Sequence, residues 1–226
     1  STDDSGARPE SGTAGRVSVA WRDPFWEFVG MVRHFDDSFN PRTGFIRRRG
    51  VRHVYGSAGI HPRGDWPLVQ EVNPYVEWHN FQTLGGDLET REVTAGLDFD
   101  FNDGAMARVS VTDLFERVDD PFDVREVTVQ PGSYDFREVS ANYTSSGARP
   151  VSGRVTVSGG GYFGGDRFSV SGSMLGRLGY RVLMTGSAQH NRIELPGQAP
   201  TTADVFSAKV DAFFSTRLLT SAFVQY

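Results

Sequence analysis

The sequence predicts an all-β protein, an antiparallel up-and-down meander of about twelve long strands forming part of a transmembrane β-barrel. Three observations carry this expectation. Apolar and polar residues alternate along most of the chain, which puts them on opposite faces of strands. The alternating runs are about 9 to 12 residues long, whereas globular strands average nearer 5 or 6 and a tilted strand crosses a bilayer in about 9 to 11. Short and long connections also sort to opposite ends of the strands, as in outer-membrane barrels.

The strands are expected near 15–22, 25–35, 50–60, 68–82, 87–101, 105–117, 133–144, 153–163, 166–175, 177–190, 203–214 and 218–226. Along "DVFSAKVDAFF" one face reads Phe206, Ala208, Val210, Ala212 and Phe214, and the other Ser207, Lys209 and Asp211. "RFSVSGSM" sets Phe168, Val170, Gly172 and Met174 against Arg167, Ser169, Ser171 and Ser173. "LGYRVLMTGSAQ" sets Leu178, Tyr180, Val182 and Met184 against Arg181, Thr185, Ser187 and Gln189. "GRVTVSGGGYF" repeats the scheme with Val155, Val157 and Phe163.

Tight turns are expected at Asp23-Pro24, Asn102-Asp103-Gly104, Gly176-Arg177 and Ser215-Thr216-Arg217, all on one end; long loops at 36–49, 117–132 and 190–202 fall on the other. A three-residue loop at 102–104 with Gly104 at positive φ sets Phe101 opposite Ala105, Phe99 opposite Ala107, Leu97 opposite Val109 and Ala95 opposite Val111. The other face then pairs Asp98 with Arg108, a favourable cross-strand contact.

The polar face is rich in Ser, Thr, Gly, Gln, Asn and Arg, the composition of a barrel lining rather than of the Lys/Glu-rich surface of a soluble sheet. Asp98, Arg108, Arg181, Lys209 and Asp211 are the expected lining charges. Trp21, Phe25, Trp26, Tyr55, Trp66, Trp78, Tyr162, Phe163, Phe214 and Tyr226 fall near strand ends, where interfacial girdles form.

Composition narrows the function. A net charge of −5 and a pI near 5.5 argue against a nucleic-acid partner. The chain has no cysteine, so it holds neither disulfides nor thiolate metal sites. His34, His53, His61, His79 and His190 lack helical metal-ligand spacing and read as lining or girdle residues. Glu71, Glu77, Asp98 and Asp100 are candidate acid–base carboxylates, but the sequence sets no separation between them. "GGGYFGG" lacks the lysine and following helix of a phosphate cradle. The chain is therefore read as a non-enzyme without a cofactor.

The stretch "DDSFNPRTGFIRRRGVRHV" is the outer loop between the second and third strands, broken by Pro41 and Gly44. Two readings stand: an inward loop in which Arg42, Arg47, Arg48 and Arg49 constrict a pore against cations, or a solvated loop paired with Asp36 and Asp37.

"FNPRTGFIRRRG" resembles an element of the DUF5916 family of outer-membrane barrels through Phe39, Asn40, Pro41, Gly44, Phe45 and a following arginine. "GSYDF", "SSGARPVSGRVTVSGGGYFGGDR", "NRIELPGQ" and "FSTRLLTSAFVQY" are similar to later segments of the same barrel, in the same order across most of 15–226. The resemblance implies a barrel in a Gram-negative outer membrane, in contact with lipid and lipopolysaccharide, acting as a pore or surface anchor. Members often carry an N-terminal module similar to family 9 carbohydrate-binding modules, and glycan binding would belong to that module. No such module is recognisable here, and the chain is expected to be cut at both ends, with 1–14 a polar loop or linker and 15–226 the barrel domain. The alternatives are the structural barrel of a carbohydrate-binding or carbohydrate-active protein, and a soluble β-sandwich binding module with Phe168, Val170, Val182 and Met184 inside.

Overall fold

The structure, a computed structural model, describes residues 12–39, 48–215 and 217–226. Those residues form fourteen strands and no helix. In chain order they are β1 (Ala14–Arg22), β2 (Trp26–Phe35), β3 (Val51–Ile60), β4 (Val69–Thr83), β5 (Leu88–Phe101), β6 (Met106–Val118), β7 (Phe122–Val124), β8 (Val127–Val129), β9 (Gly132–Thr144), β10 (Val151–Tyr162), β11 (Gly165–Leu178), β12 (Val182–Glu194), β13 (Thr201–Ser215) and β14 (Leu218–Gln225). Twelve of them make one antiparallel sheet in which each strand pairs with its neighbour in sequence, and β7 and β8 form a separate hairpin between β6 and β9. The expected meander is present. Barrel closure is not, because no ladder joins β1 to β14 among the described residues.

The register keeps apolar residues on one face across the whole sheet. One row of opposed residues reads Trp21, Phe28, Ala58, Val76, Ala95, Val111, Val139, Gly159 and Phe168. A second reads Val72, Phe99, Ala107, Tyr143, Val155, Gly172, Ala188 and Phe206. A one-residue slip anywhere would turn a strand's apolar set to the polar side, so the pattern itself fixes the register. None of the described residues covers this face: Val19 is 72% exposed, Phe168 46% and Phe206 51%. Phe168 and Met184 thus stand on the open face of a single layer, not in the interior that a sandwich requires.

Charges of the same parity appear only toward the long-loop ends of the strands. There Arg91 lies 3.5 Å from Asp135, Arg137 lies 3.0 Å from Asp113, and His190 lies 2.6 Å from Asp204.

The 102–104 turn is as expected. Phe101 donates its N–H to Ala105 O at 2.9 Å, Gly104 takes φ 80°, and Asp98 faces Arg108. The turn after β11 is displaced. It lies at 179–181 rather than at Gly176-Arg177, with Leu178 opposite Val182 and Gly179 at φ 63°. Gly176 instead continues the ladder opposite Met184; glycine marked the right neighbourhood, but Gly179 is the residue that takes the left-handed backbone. Loop sorting holds for the named turns and loops, but four other connections depart from it: the short turns 163–164 and 84–87 on the long-loop end, and the eight- and six-residue connections 61–68 and 145–150 on the other.

The buried core formed by the described residues is small and eccentric. Val118, Val127, Val129, Ile193 and Leu195 form it, with Val124, Tyr134, Tyr162 and Phe163 packed against it. Val118, Tyr134, Tyr162 and Ile193 all have polar-face parity, so the β7–β8 hairpin lies over the polar face. Val118 on β6 and Ile193 on β12 are four ladders apart, about 19 Å along the sheet. Both reach the same narrow hairpin, so the sheet curls toward its polar side.

Candidate functional site

The polar face divides into two unlike walls. On β2 to β6 it is charged and aromatic, and its groups are paired with one another. Arg22 lies 2.7 Å from Glu27, and His61 sits 3.1 Å from Glu71 and 2.9 Å from Asn73. Arg63 donates to Glu71 at 2.5 Å, and Asn73 donates to Asp100 at 3.3 Å. Arg108 holds Asp98 through two hydrogen bonds and places its guanidinium 5.2 Å from the Tyr75 ring centre. Tyr75 lies opposite Gly96, where an added Cβ would stand 2.6 Å from the ring. Glycine there lets the ring lie down and present its face to the arginine.

Further along, His53 stacks on Phe81 with ring centres 4.0 Å apart, and its Nε2 is 3.1 Å from His79 Nδ1. One of those two nitrogens carries the shared proton. Tyr55 is on this face, 3.5 Å from Glu77, and is not a girdle residue.

The opposite wall, on β10 to β14, is hydroxyl-rich. Ser187 and Ser207 meet at 2.7 Å, Asn142 donates to Thr156 at 2.7 Å, and Lys209 lies 3.0 Å from Asp211, which also accepts from Ser221. The walls join through Glu138, Gly160 and Arg167, which stand in one row on β9, β10 and β11. A Cβ on Gly160 would be 2.1 Å from Arg137 O. With no side chain in the middle, Arg167 reaches over the strand to Glu138 at 2.5 Å.

The expected lining residues Asp98, Arg108, Lys209 and Asp211 all lie on this face. Arg181 does not line it; it sits exposed in the 179–181 turn, 5.1 Å from the Tyr180 ring centre. The displaced turn is the reason. Arg42 and Arg47 lie outside the described residues. Arg48 folds onto the polar face, donating to Thr90 at 2.7 Å, lying 3.5 Å from Glu116 and covering Phe81 at 4.9 Å. Arg49 is exposed. Asp36 accepts from the side chain and backbone of Thr13 at 2.7 Å each, which holds its carboxyl below the ordinary value near 3.8.

Tyr162 and Phe163, expected in a girdle, belong instead to the core beneath the hairpin. The hairpin itself is the largest feature that sequence reasoning missed. Val127 and Val129 are 1% exposed. Gln198 clamps the strand between them, accepting from Thr128 N and donating to Thr128 O, both at 2.8 Å. Thr201 donates to Glu126 at 3.4 Å. The visible signal was the alternation in "VTV" after "FDVRE", but two three-residue strands are too short to stand out from a loop.

Among the described residues, no three His, Cys, Asp or Glu side chains converge as a metal site. The candidate carboxylates Glu71, Asp98 and Asp100 are each held by a neighbouring donor, and Glu77 lies 3.5 Å from the Tyr55 hydroxyl. No family model, curated protein or solved structure matches the chain.

Proposed function

We propose that this sheet is the greater part of a transmembrane β-barrel in a Gram-negative-type outer membrane, where it serves as a pore or a surface anchor. The observation that carries the reading is the apolar face, continuous over twelve strands, charged only toward the long-loop ends and covered by none of the described residues. A face of that extent in water would be an aggregation surface; in a bilayer it meets hydrocarbon. The opposite face, curled inward and lined by hydroxyl, amide and paired charged groups, suits contact with water. Aromatic residues at the short-turn ends, with Trp21, Trp26 and Phe214 all exposed, fit an interfacial girdle. The resemblance to DUF5916 barrels points the same way.

This reading demands closure. An unpaired edge in hydrocarbon costs several kcal/mol for each unsatisfied backbone group, so β1 and β14 must pair with each other, with further strands or with a second copy. The test is export to the outer membrane with a signal peptide, followed by detergent extraction and gel migration with and without boiling. The expected protein requires detergent, resists protease in vesicles and migrates differently once boiled. A product that is monomeric and soluble without detergent overturns the assignment.

A further inference from the structure

The β7–β8 hairpin is anchored too firmly for a surface loop and carries too much charge of one sign for a neutral plug. Its buried edge, Val127 and Val129, is sealed against Val118, Ile193 and Leu195, and the Gln198 amide satisfies both backbone groups of Thr128. Its two strands turn through Arg125 at φ 58°, the sign that a type II′ turn needs at its first central position. The segment 119–131 contains Asp119, Asp120, Asp123 and Glu126 against the single cation Arg125, and all five are exposed. Asp119 lies 3.1 Å from Arg117 at the end of β6, which leaves Asp120, Asp123 and Glu126 against Arg125. On the walls several acids are matched by bases, as in Asp98–Arg108, Glu138–Arg167 and Asp211–Lys209, whereas the hairpin carries a net negative charge.

We propose that this hairpin is a fixed, acidic constriction at the long-loop mouth, which makes the passage prefer cations and small cationic solutes over anions. Its place follows from the fold: it lies over the ends of β6 and of β9 to β12, leaving the wall of β2 to β5 as the open side. A ring or patch of carboxylates in a narrow path raises the local cation concentration and repels anions. The sign is opposite to the one suggested by the arginines of the 36–49 loop, of which Arg48 is already engaged with Glu116.

The inference rests on the pore form of the proposed function, and the experiment separates the two. Three proteins are reconstituted in planar bilayers under a potassium chloride gradient: the native chain, the triple variant Asp120→Asn, Asp123→Asn, Glu126→Gln, and a variant with 119–131 replaced by a short glycine-asparagine turn. Membrane insertion of each is scored separately by protease protection. The native protein is expected to show a cation-selective reversal potential. The triple variant, which leaves Val127, Val129 and Gln198 untouched, should keep its conductance and lose that selectivity; the excised variant should conduct about two-fold more or better. A silent native protein with a conducting excised variant also supports the constriction, as a complete one. Inserted proteins with equal conductance and equal selectivity overturn the constriction alone. Insertion with no conductance in all three overturns the pore and the constriction together, and failure of all three to insert overturns the barrel.

Discussion

Arg108 grips Asp98 from directly across the β5–β6 ladder, with Nε 2.6 Å from Oδ1 and Nη2 2.5 Å from Oδ2. The same guanidinium lies against the Tyr75 ring, and that ring covers Gly96. Four residues on three strands thus fix one patch of the polar wall. Because the Arg108 side chain is 57% exposed, solvent screens most of the attraction. A double-mutant cycle with Asp98→Asn and Arg108→Gln should return a coupling of about 0.5–1 kcal/mol in urea unfolding from detergent micelles. Additive single effects would mean that the bidentate geometry contributes no coupling.

Leu97 and Val109 face one another in the middle of the apolar face. If hydrocarbon covers that face, Leu97→Arg should lower the stability of the vesicle-inserted protein by about 2–4 kcal/mol. Ser110→Arg, one residue along β6 and on the opposite face, should cost far less, because its guanidinium meets water. Equal costs for the two substitutions, measured by denaturant unfolding in vesicles, contradict a lipid-facing Leu97.

How much of this was legible in sequence depends on the range of the interaction. The Phe101–Ala105 turn and the Asp98–Arg108 pair are set by one glycine and by alternation, and both were readable. Strand positions were readable for the same reason: a buried or lipid-facing row repeats every two residues. The β11–β12 turn was misplaced because Gly176 and Gly179 compete as turn residues, and only the register with β12 decides. The hairpin was invisible because its stability comes from Gln198, 70 residues beyond Thr128, and from side chains on β6, β9, β10 and β12. Its own six strand residues carry almost no periodic signal. Arg181 shows how the two failures combine, since a turn displaced by a few residues moved a supposed lining charge out to the rim.

The β1–β2 turn gives a prediction in pH. Asp23 accepts from Trp21 Nε1 at 3.0 Å and from the backbone of Phe25 and Trp26 at 2.8 Å each. Those bonds, the Trp21 bond foremost, hold its carboxyl below the ordinary value near 3.8. A carboxyl whose folded pKa is depressed stabilises the fold above its unfolded value, and that contribution disappears as pH falls through the folded value. The native protein should therefore be more stable than Asp23→Asn near neutrality, with the difference shrinking between about pH 5 and pH 2. Unfolding midpoints followed by tryptophan fluorescence check this. A difference that is constant across that range would show that Asp23 acts by shape and not by charge.

Phe163 occupies a backbone conformation that its own side chain disfavours. With φ at 47° and Gly164 at 81°, it begins a two-residue turn between Tyr162 and Gly165, and both signs are those of a type I′ turn. Left-handed backbone costs a residue such as phenylalanine about 1–2 kcal/mol, and asparagine tolerates it better. The ring offsets that cost by packing 5.3 Å from Tyr134, 5.3 Å from Phe136 and 5.6 Å from Phe122 on the hairpin. Phe163→Asn should relieve the backbone and lose the packing, for a net loss of about 1–2 kcal/mol. Phe163→Ala keeps the strained backbone and loses the ring as well, so it should be the less stable of the two by about 0.5–1 kcal/mol. The order native, asparagine, alanine in denaturant unfolding is the expected result, and an asparagine variant more stable than the native chain by about 1–2 kcal/mol would show that the ring gives the hairpin nothing.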